Sequence, residues 1–179
     1  MDDDTNLAIA AAQGDRRAFE RLLTRHYDRI FRVAYRVIGN RVEAQDVAQE
    51  VCAALPAKLK GFRGEAAFST WLYRVVLNAG RDQLRRTAAQ QRITSEWGNV
   101  QVLNRETDAQ NLAELDWLTR ALTKLSDDLR ETVALVLGEE MSHALAGQVL
   151  GLSEGTISWR MSEVRKALKL MAAEEARFA

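Results

Sequence analysis

The stretch FRGEAAFSTWLYRVVLNAGRDQLRR, residues 62–86, carries two stripes of opposite chemistry. Phe68, Trp71, Leu72, Val75 and Ala79 recur at spacings suited to one face of a helix. Thr70, Arg74, Asn78, Arg81 and Arg85 recur on another. The first stripe has a core to face. The second offers guanidiniums and an amide, which suit a row of oxyanions such as phosphates. Over residues 60–92 there are 7 Lys and Arg against 2 Asp and Glu, so positive charge gathers there. A basic helix face is also commonly just solvated, and charge alone does not decide between the two.

Other reactive side chains are sparse. Cys52 is the only cysteine, which excludes an intramolecular disulfide and a cysteine-rich zinc site. It reads as a small hydrophobe of the interior. His26 and His143 are the only histidines and fall on separate predicted helices, without metal-ligand spacing or a nucleophile motif. The chain is expected to have no catalytic activity, cofactor or metal. Glu43, Asp46 and Glu50 recur every three or four residues and form an acidic face, opposite Val47, Val51 and Leu55.

These groups need helices to hold them. The sequence has 179 residues, 47% of them hydrophobic, with one proline and ten scattered glycines. Helical periodicity dominates, and the fold class is all-α. Helices are expected at 5–13, from Asp15 as a cap to the GN break at 39–40, from 41 to about 61, and from about 66 to 93. Pro56 has no amide hydrogen and is expected to kink or split the third. Residues 94–111 break the pattern and read as a linker, whose Trp97, Val100, Val102 and Leu103 are expected to dock in part. Helices at about 112–124, 127–138, 143–150 and 154–174 follow. Net charge is zero overall, yet residues 1–93 hold 16 Lys and Arg against 11 Asp and Glu, and residues 94–179 hold 9 against 14. No apolar run reaches the length of a membrane span, and the start lacks the order of a secretory signal, so a cytoplasmic location without membrane insertion is expected.

The last stretch, SHALAGQVLGLSEGTISWRMSEVRKALKLM, has a helix-turn-helix pattern. Ser142 caps a short helix, Gly147 stands where two helices would cross closely, Gly151 supplies the turn, and Ser153 caps the second helix. Ile157, Met161, Val164 and Leu168 form its buried stripe, leaving Thr156, Trp159, Arg160, Glu163 and Lys166 exposed. The N-terminal half of such a helix enters the major groove of duplex DNA. An ordinary helical hairpin is the plainer reading of the same spacing.

Taken together, GDRRAFERLLTRHYDRIFRVAYRVIGN, AQDVAQEV, FRGEAAFSTWLYRVVLN and LGLSEGTISWRMSEVRKAL resemble, in order and spacing, the extracytoplasmic-function (ECF) sigma factors of the sigma-70 family. The resemblance implies two small helical domains: residues 1–93, matching sigma-70 region 2, and 112–179, matching region 4, joined by the linker 94–111. It implies that the first binds core RNA polymerase through Glu43, Asp46, Gln49 and Glu50, and the melted −10 promoter strand through Phe62, Arg63, Tyr73, Arg74, Asn78, Arg81, Arg85 and Arg86. In the family the loop at 62–65 holds a base flipped from the non-template strand. Such a base offers a π-face to an aromatic and a Watson–Crick edge to an amide. Trp71 and Phe68 lie on the apolar stripe and belong to the core, whereas Tyr73 lies between stripes and could serve either face. The second domain is implied to read the duplex −35 element through Thr156, Ser158, Trp159, Arg160, Glu163 and Lys166. An anti-sigma factor is an implied further partner.

Several residues depart from the family pattern. Pro56 stands where a bulky residue is usual. Ser158 and Glu163 replace common basic residues, Trp159 a small one, and Leu145 the glutamate of a capping box. The competing functional class is a stand-alone helix-turn-helix regulator, which has no need of the first domain's loop or acidic face.

Overall fold

Asp15 opens the second helix as expected: its Oδ1 accepts from the amides of Arg17 and Ala18 at 2.9 and 3.1 Å. The computed structural model describes residues 3–96 and 121–178. Its helices are α1 (Asp3–Ala12), α2 (Arg16–Ile38), α3 (Arg41–Leu59), α4 (Phe68–Glu96), α5 (Asp127–Val136), α6 (His143–Leu150) and α7 (Glu154–Phe178). A helical turn at residues 121–123 precedes α5. No strand occurs among the described residues. The proposed linker lies outside them apart from residues 94–96, which extend α4.

The GN break works through both residues. Gly39 adopts φ 76° and its amide donates to the Tyr35 carbonyl, closing α2 in the left-handed conformation that glycine reaches without a Cβ penalty. Asn40 then caps α3, its Oδ1 accepting from Val42 and Glu43. Pro56 does not split α3, which runs on to Leu59. The proline is exposed and within a turn of the helix end, so the one intrahelical bond it forfeits lies where the helix is finishing anyway. Cys52 is half-buried, and burial pushes its thiol pKa up.

The amino end of α4 has a non-local cap. Thr5 of α1, buried, accepts from the Phe68 amide at 3.2 Å. His26 of α2 fastens the same corner: its Nε2 lies 2.8 Å from Asp4, its Nδ1 3.3 Å from Arg29, and its ring meets Phe68 edge-on at 5.2 Å. A neutral ring donating to Asp4 and accepting from Arg29 satisfies both neighbours. Burial lowers the His26 pKa, against the opposing pull of Asp4.

The two expected domains do not stand apart. Val33, Val37, Val47, Val51, Leu72 and Leu77 share one apolar core with Leu135, Met141, Val149 and Ile157 of the carboxyl-terminal helices. A smaller cluster of Leu125, Val133, Met161 and Val164 holds α5 against α7.

Candidate nucleic-acid and polymerase-binding faces

The acidic face of α3 lies open. Asp46, Gln49 and Glu50 are exposed, while Ala44, Val47, Ala48 and Val51 on the opposite side are buried. Glu50 pairs with Arg86 at 3.0 Å across two half-exposed side chains. Glu43 turns inward and accepts from Gln83 and Thr87 of α4. Three of the four expected polymerase contacts are therefore presented together, and Glu43 supports the α3–α4 packing.

The loop before α4 divides its residues. Arg63 and Glu65 are well exposed and 4.0 Å apart. Phe62 is buried, with its ring 5.3 Å from Trp71 and 5.9 Å from Phe68. The expectation that Phe62 offers a free π-face is thus corrected: the ring is buried among core aromatics. Trp71 and Phe68 occupy the core side, as the apolar stripe requires. Thr70, placed by spacing on the polar stripe, is buried at 5% exposure.

Along α4, Arg74 and Asn78 are exposed, Arg81 is half-buried, and Arg85 and Arg86 are exposed. Asn78 accepts from Arg81 through its Oδ1 at 3.2 Å, a bond that does not engage its amide hydrogens. Arg85 holds Asp82, one turn earlier, at the surface. Arg86 pairs with Glu50 of α3, whereas Arg74 and Arg81 meet the carboxyl-terminal domain. Arg74 donates to the carbonyls of Val149 and Gln148 at 3.1 and 2.5 Å. Arg81 grips both oxygens of Glu131, a carboxylate only 1% exposed. This bond is the largest cause raising the Arg81 pKa. Tyr73 is buried and donates to Glu139 at 2.9 Å; burial, then this hydrogen bond, raises its pKa. Tyr73 therefore serves neither the polar face nor the apolar stripe alone. A cavity of about 230 Å³ remains between the domains, lined by Arg74, Leu77, Asn78, Arg81, Val149 and Leu150.

The helix-turn-helix has the expected punctuation. Ser142 Oγ accepts from the Leu145 amide at 3.2 Å, and Ser153 Oγ from the Thr156 amide at 3.1 Å. Gly151 closes α6 at φ 70°. Gly147 is needed for a different reason from the one its sequence position suggests. A Cβ there would lie 2.6 Å from the Leu152 carbonyl, so the close approach is to the turn's own backbone. On α7, Ile157, Met161 and Val164 are buried and Trp159 is 61% exposed. Ser158 is exposed and pairs with His143 at 2.8 Å. Lys166 is exposed and donates to Glu163 at 2.6 Å. Thr156 is half-buried beside Ser153. Arg160 differs from its expectation: its side chain is 12% exposed and clamps Asp128 at 2.7 Å, at the start of α5. An acidic residue 32 positions away leaves no periodic signal at Arg160 itself.

Sequence reasoning missed Glu131, Glu139 and Arg130. Arg130 is buried and donates to the carbonyls of Leu122, Thr123, Leu125 and Val37. The visible signal was only that ETVALV and the preceding arginine lie in a strongly apolar segment, where charged side chains need partners. Among the described residues no cluster of His, Cys, Asp or Glu is arranged to hold a metal ion, and no helix is long and apolar enough to cross a membrane.

The profile of Sigma-70 region 2 matches residues 22–90, and that of Sigma-70, region 4 matches residues 121–170. The ECF RNA polymerase sigma factor SigM of Mycobacterium tuberculosis (strain H37Rv) is 32% identical over 165 residues, covering 92% of this chain and 82% of SigM. SigW of Bacillus subtilis, also an ECF RNA polymerase sigma factor, is 29% identical and covers 88% of this chain and 90% of its own. Among solved structures, CnrH in complex with the cytosolic domain of CnrY superposes with a TM-score of 0.71 at 28% identity, over 97% of this chain and 99% of that one. The chain belongs to the sigma-70 family as an ECF RNA polymerase sigma factor, a subunit that binds RNA polymerase for promoter recognition.

Proposed function

We propose that the residues of this sigma factor divide the work as follows. Asp46, Gln49 and Glu50 on α3 dock on a basic surface of core polymerase, adding on-rate and specificity more than raw affinity. Arg74, Arg81, Arg85 and Arg86 hold phosphates of the melted −10 strand, and Asn78, with Arg63 at the loop, contacts a base. Ser158, Trp159 and Lys166 meet the −35 duplex, with Thr156 and Glu163 at the edge and Arg160 fixing α7 to α5. The working boundaries are 1–93 for the first domain, 94–111 for the linker and 112–179 for the second.

The observation that carries this reading is the exposed side chain of Asn78 among four arginines of one helix. The Asn78 oxygen accepts from Arg81 within the same helix. The protein acts in the cytoplasm, where the polymerase is, as an initiation factor without catalytic chemistry of its own. CnrH was solved with the cytosolic domain of CnrY, and a protein partner for this chain, an anti-sigma factor, is part of the proposal. The deciding experiment maps transcription start sites after overexpression. A shared pair of upstream motifs, one near −10 and one near −35, is expected. Starts without a common −10 motif would remove the assignment of α4.

A further inference from the structure

The loop before α4 has little hydrogen bonding of its own. The Ala67 carbonyl accepts the first bond of α4, from the Trp71 amide at 3.2 Å, so Ala67 holds the position of a helix cap. Its side chain has no oxygen with which to cap. Among the described residues, no amide from Arg63 to Ala67 donates a main-chain hydrogen bond. Arg63 and Glu65 nevertheless present side chains 83% and 78% exposed from this segment.

The first helix supplies what the loop lacks. Thr5 of α1, 3% exposed, reaches the loop at two points with one side chain. Its Oγ1 accepts from the Phe68 amide at 3.2 Å. Its methyl lies 3.7 Å from the place that a Cβ on Gly64 would take, and the Ile9 Cδ1 lies 3.5 Å from the same place. Gly64 turns there at φ 72°, a left-handed conformation that glycine enters freely. The first helix is itself pinned. Asp4 spans Arg25 at 2.7 Å and His26 at 2.8 Å, Asp3 also reaches Arg25, and Leu7 and Ala8 enter the core.

We propose that Thr5 and Ile9 are positioning residues for promoter specificity: they seat the loop at 63–67 on α1, and so set where Arg63 stands relative to Asn78 when a −10 base arrives. The proposal rests on Arg63 and Asn78 being the base-contacting residues. Thr5 is too buried to touch a nucleic acid and acts through the loop alone. A binding constellation keeps its selectivity only while its groups are held within about 0.5 Å of their working places. A segment without bonds of its own meets that tolerance through its seat.

Base preference tests it. The full-length protein is assembled with core RNA polymerase. Initiation is measured on a promoter found by start-site mapping and on templates with each −10 or −35 base changed in turn. Thr5→Val keeps the methyl and the volume and removes the acceptor. It is expected to lower the preference for the native base at one −10 position by about fivefold, within the range that a base contact supplies. Preferences at −35 should stay as they are. Thr5→Ser restores the acceptor and should recover most of the −10 preference. Ile9→Ala removes the floor beneath Gly64 without stranding an amide and should act in the same direction, so it decides the matter where Thr5→Val does not fold. A purely structural role would lower initiation on every template by one factor. Uniform losses, or none, for both Thr5→Val and Ile9→Ala therefore overturn the proposal. Asn78→Ala is run alongside. If it changes a −10 preference that the α1 variants leave alone, only the seat falls. If it changes none either, the base-contacting reading of loop and helix falls, and the seat with it.

Discussion

Replacing the buried Arg130 with alanine should loosen the carboxyl-terminal domain. Its guanidinium donates to Leu122 at 3.2 Å, Val37 at 3.0 Å, Thr123 at 2.9 Å and Leu125 at 2.8 Å, all main-chain carbonyls. Leu122, Thr123 and Leu125 lie at the end of one helical turn, and Val37 in the last turn of α2. Carbonyls at helix ends have no partner within their helix, and a cation there also meets the favourable end of the helix dipole. One side chain thus satisfies the ends of two helices. A hydrogen bond to a charged group contributes about 1.5–3 kcal/mol. The four are not additive, and water reaches some of the vacated carbonyls, so a loss of about 4 kcal/mol is expected. At a urea slope of about 2 kcal/mol/M, the unfolding midpoint falls by about 2 M. Arg130→Lys should recover less than half of that, because an ammonium cannot span four acceptors in a planar fork. The assay is urea unfolding followed by far-ultraviolet circular dichroism. A midpoint shift under about 0.5 M for Arg130→Ala would show that the carbonyls are satisfied equally well by water, and the argument from helix ends would fail.

Asp46→Lys with Glu50→Lys should abolish association with core polymerase while leaving the fold intact, because both side chains are exposed and an exposed pair such as Glu50–Arg86 contributes about 1 kcal/mol or less; co-purification at wild-type yield refutes α3 as the docking face. Asn78→Ala should weaken preference for one −10 base by about 1–3 kcal/mol, whereas Arg85→Ala should weaken all promoters alike and flatten the salt dependence; equal losses on every base variant for Asn78→Ala exclude a base contact. Glu163→Arg frees Lys166 and adds a cation to α7, so duplex affinity should rise and discrimination among −35 variants fall; loss confined to the native promoter would mean that Glu163 reads a base. His26 has a folded-state pKa below its ordinary value of 6.5. The unfolded chain therefore takes up the proton first, and stability should decline as pH falls below about 6.5 until the folded-state pKa is passed. His26→Gln should flatten urea midpoints between about pH 7 and pH 5, and an unchanged slope would place the titration elsewhere.

Local chemistry made much of the fold legible. Asp15, Gly39, Asn40, Ser142, Gly151 and Ser153 punctuate their helices through bonds two to four residues long. Periodicity likewise separates the buried Phe68 and Leu72 from the exposed Arg74 and Asn78. What stayed hidden depends on partners far along the chain. Phe62 and Tyr73 are drawn inward by Trp71 and by Glu139, and Arg81 meets a glutamate 50 residues away. Arg160 is exposed by its helical position, yet Asp128 folds it back. A one-dimensional period reports which face a residue occupies, not what the opposite surface brings to it. Pro56 misled for another reason: the rule against proline concerns a helix interior, and near an exposed end its cost is small.

The arginine clasps between the domains differ in how they can be inherited. Arg74 and Arg130 bind carbonyls of Gln148, Val149 and Val37, atoms that every amino acid carries. Drift at positions 148, 149 and 37 therefore leaves the acceptors in place so long as the helices keep their course. Drift at 74 or 130 removes the clasp at one stroke. The Arg81–Glu131 and Arg36–Glu139 pairs are exposed to change from both sides. Two kinds of evolutionary memory meet in one interface: one half is written in side chains on both partners, and the other half on one partner alone.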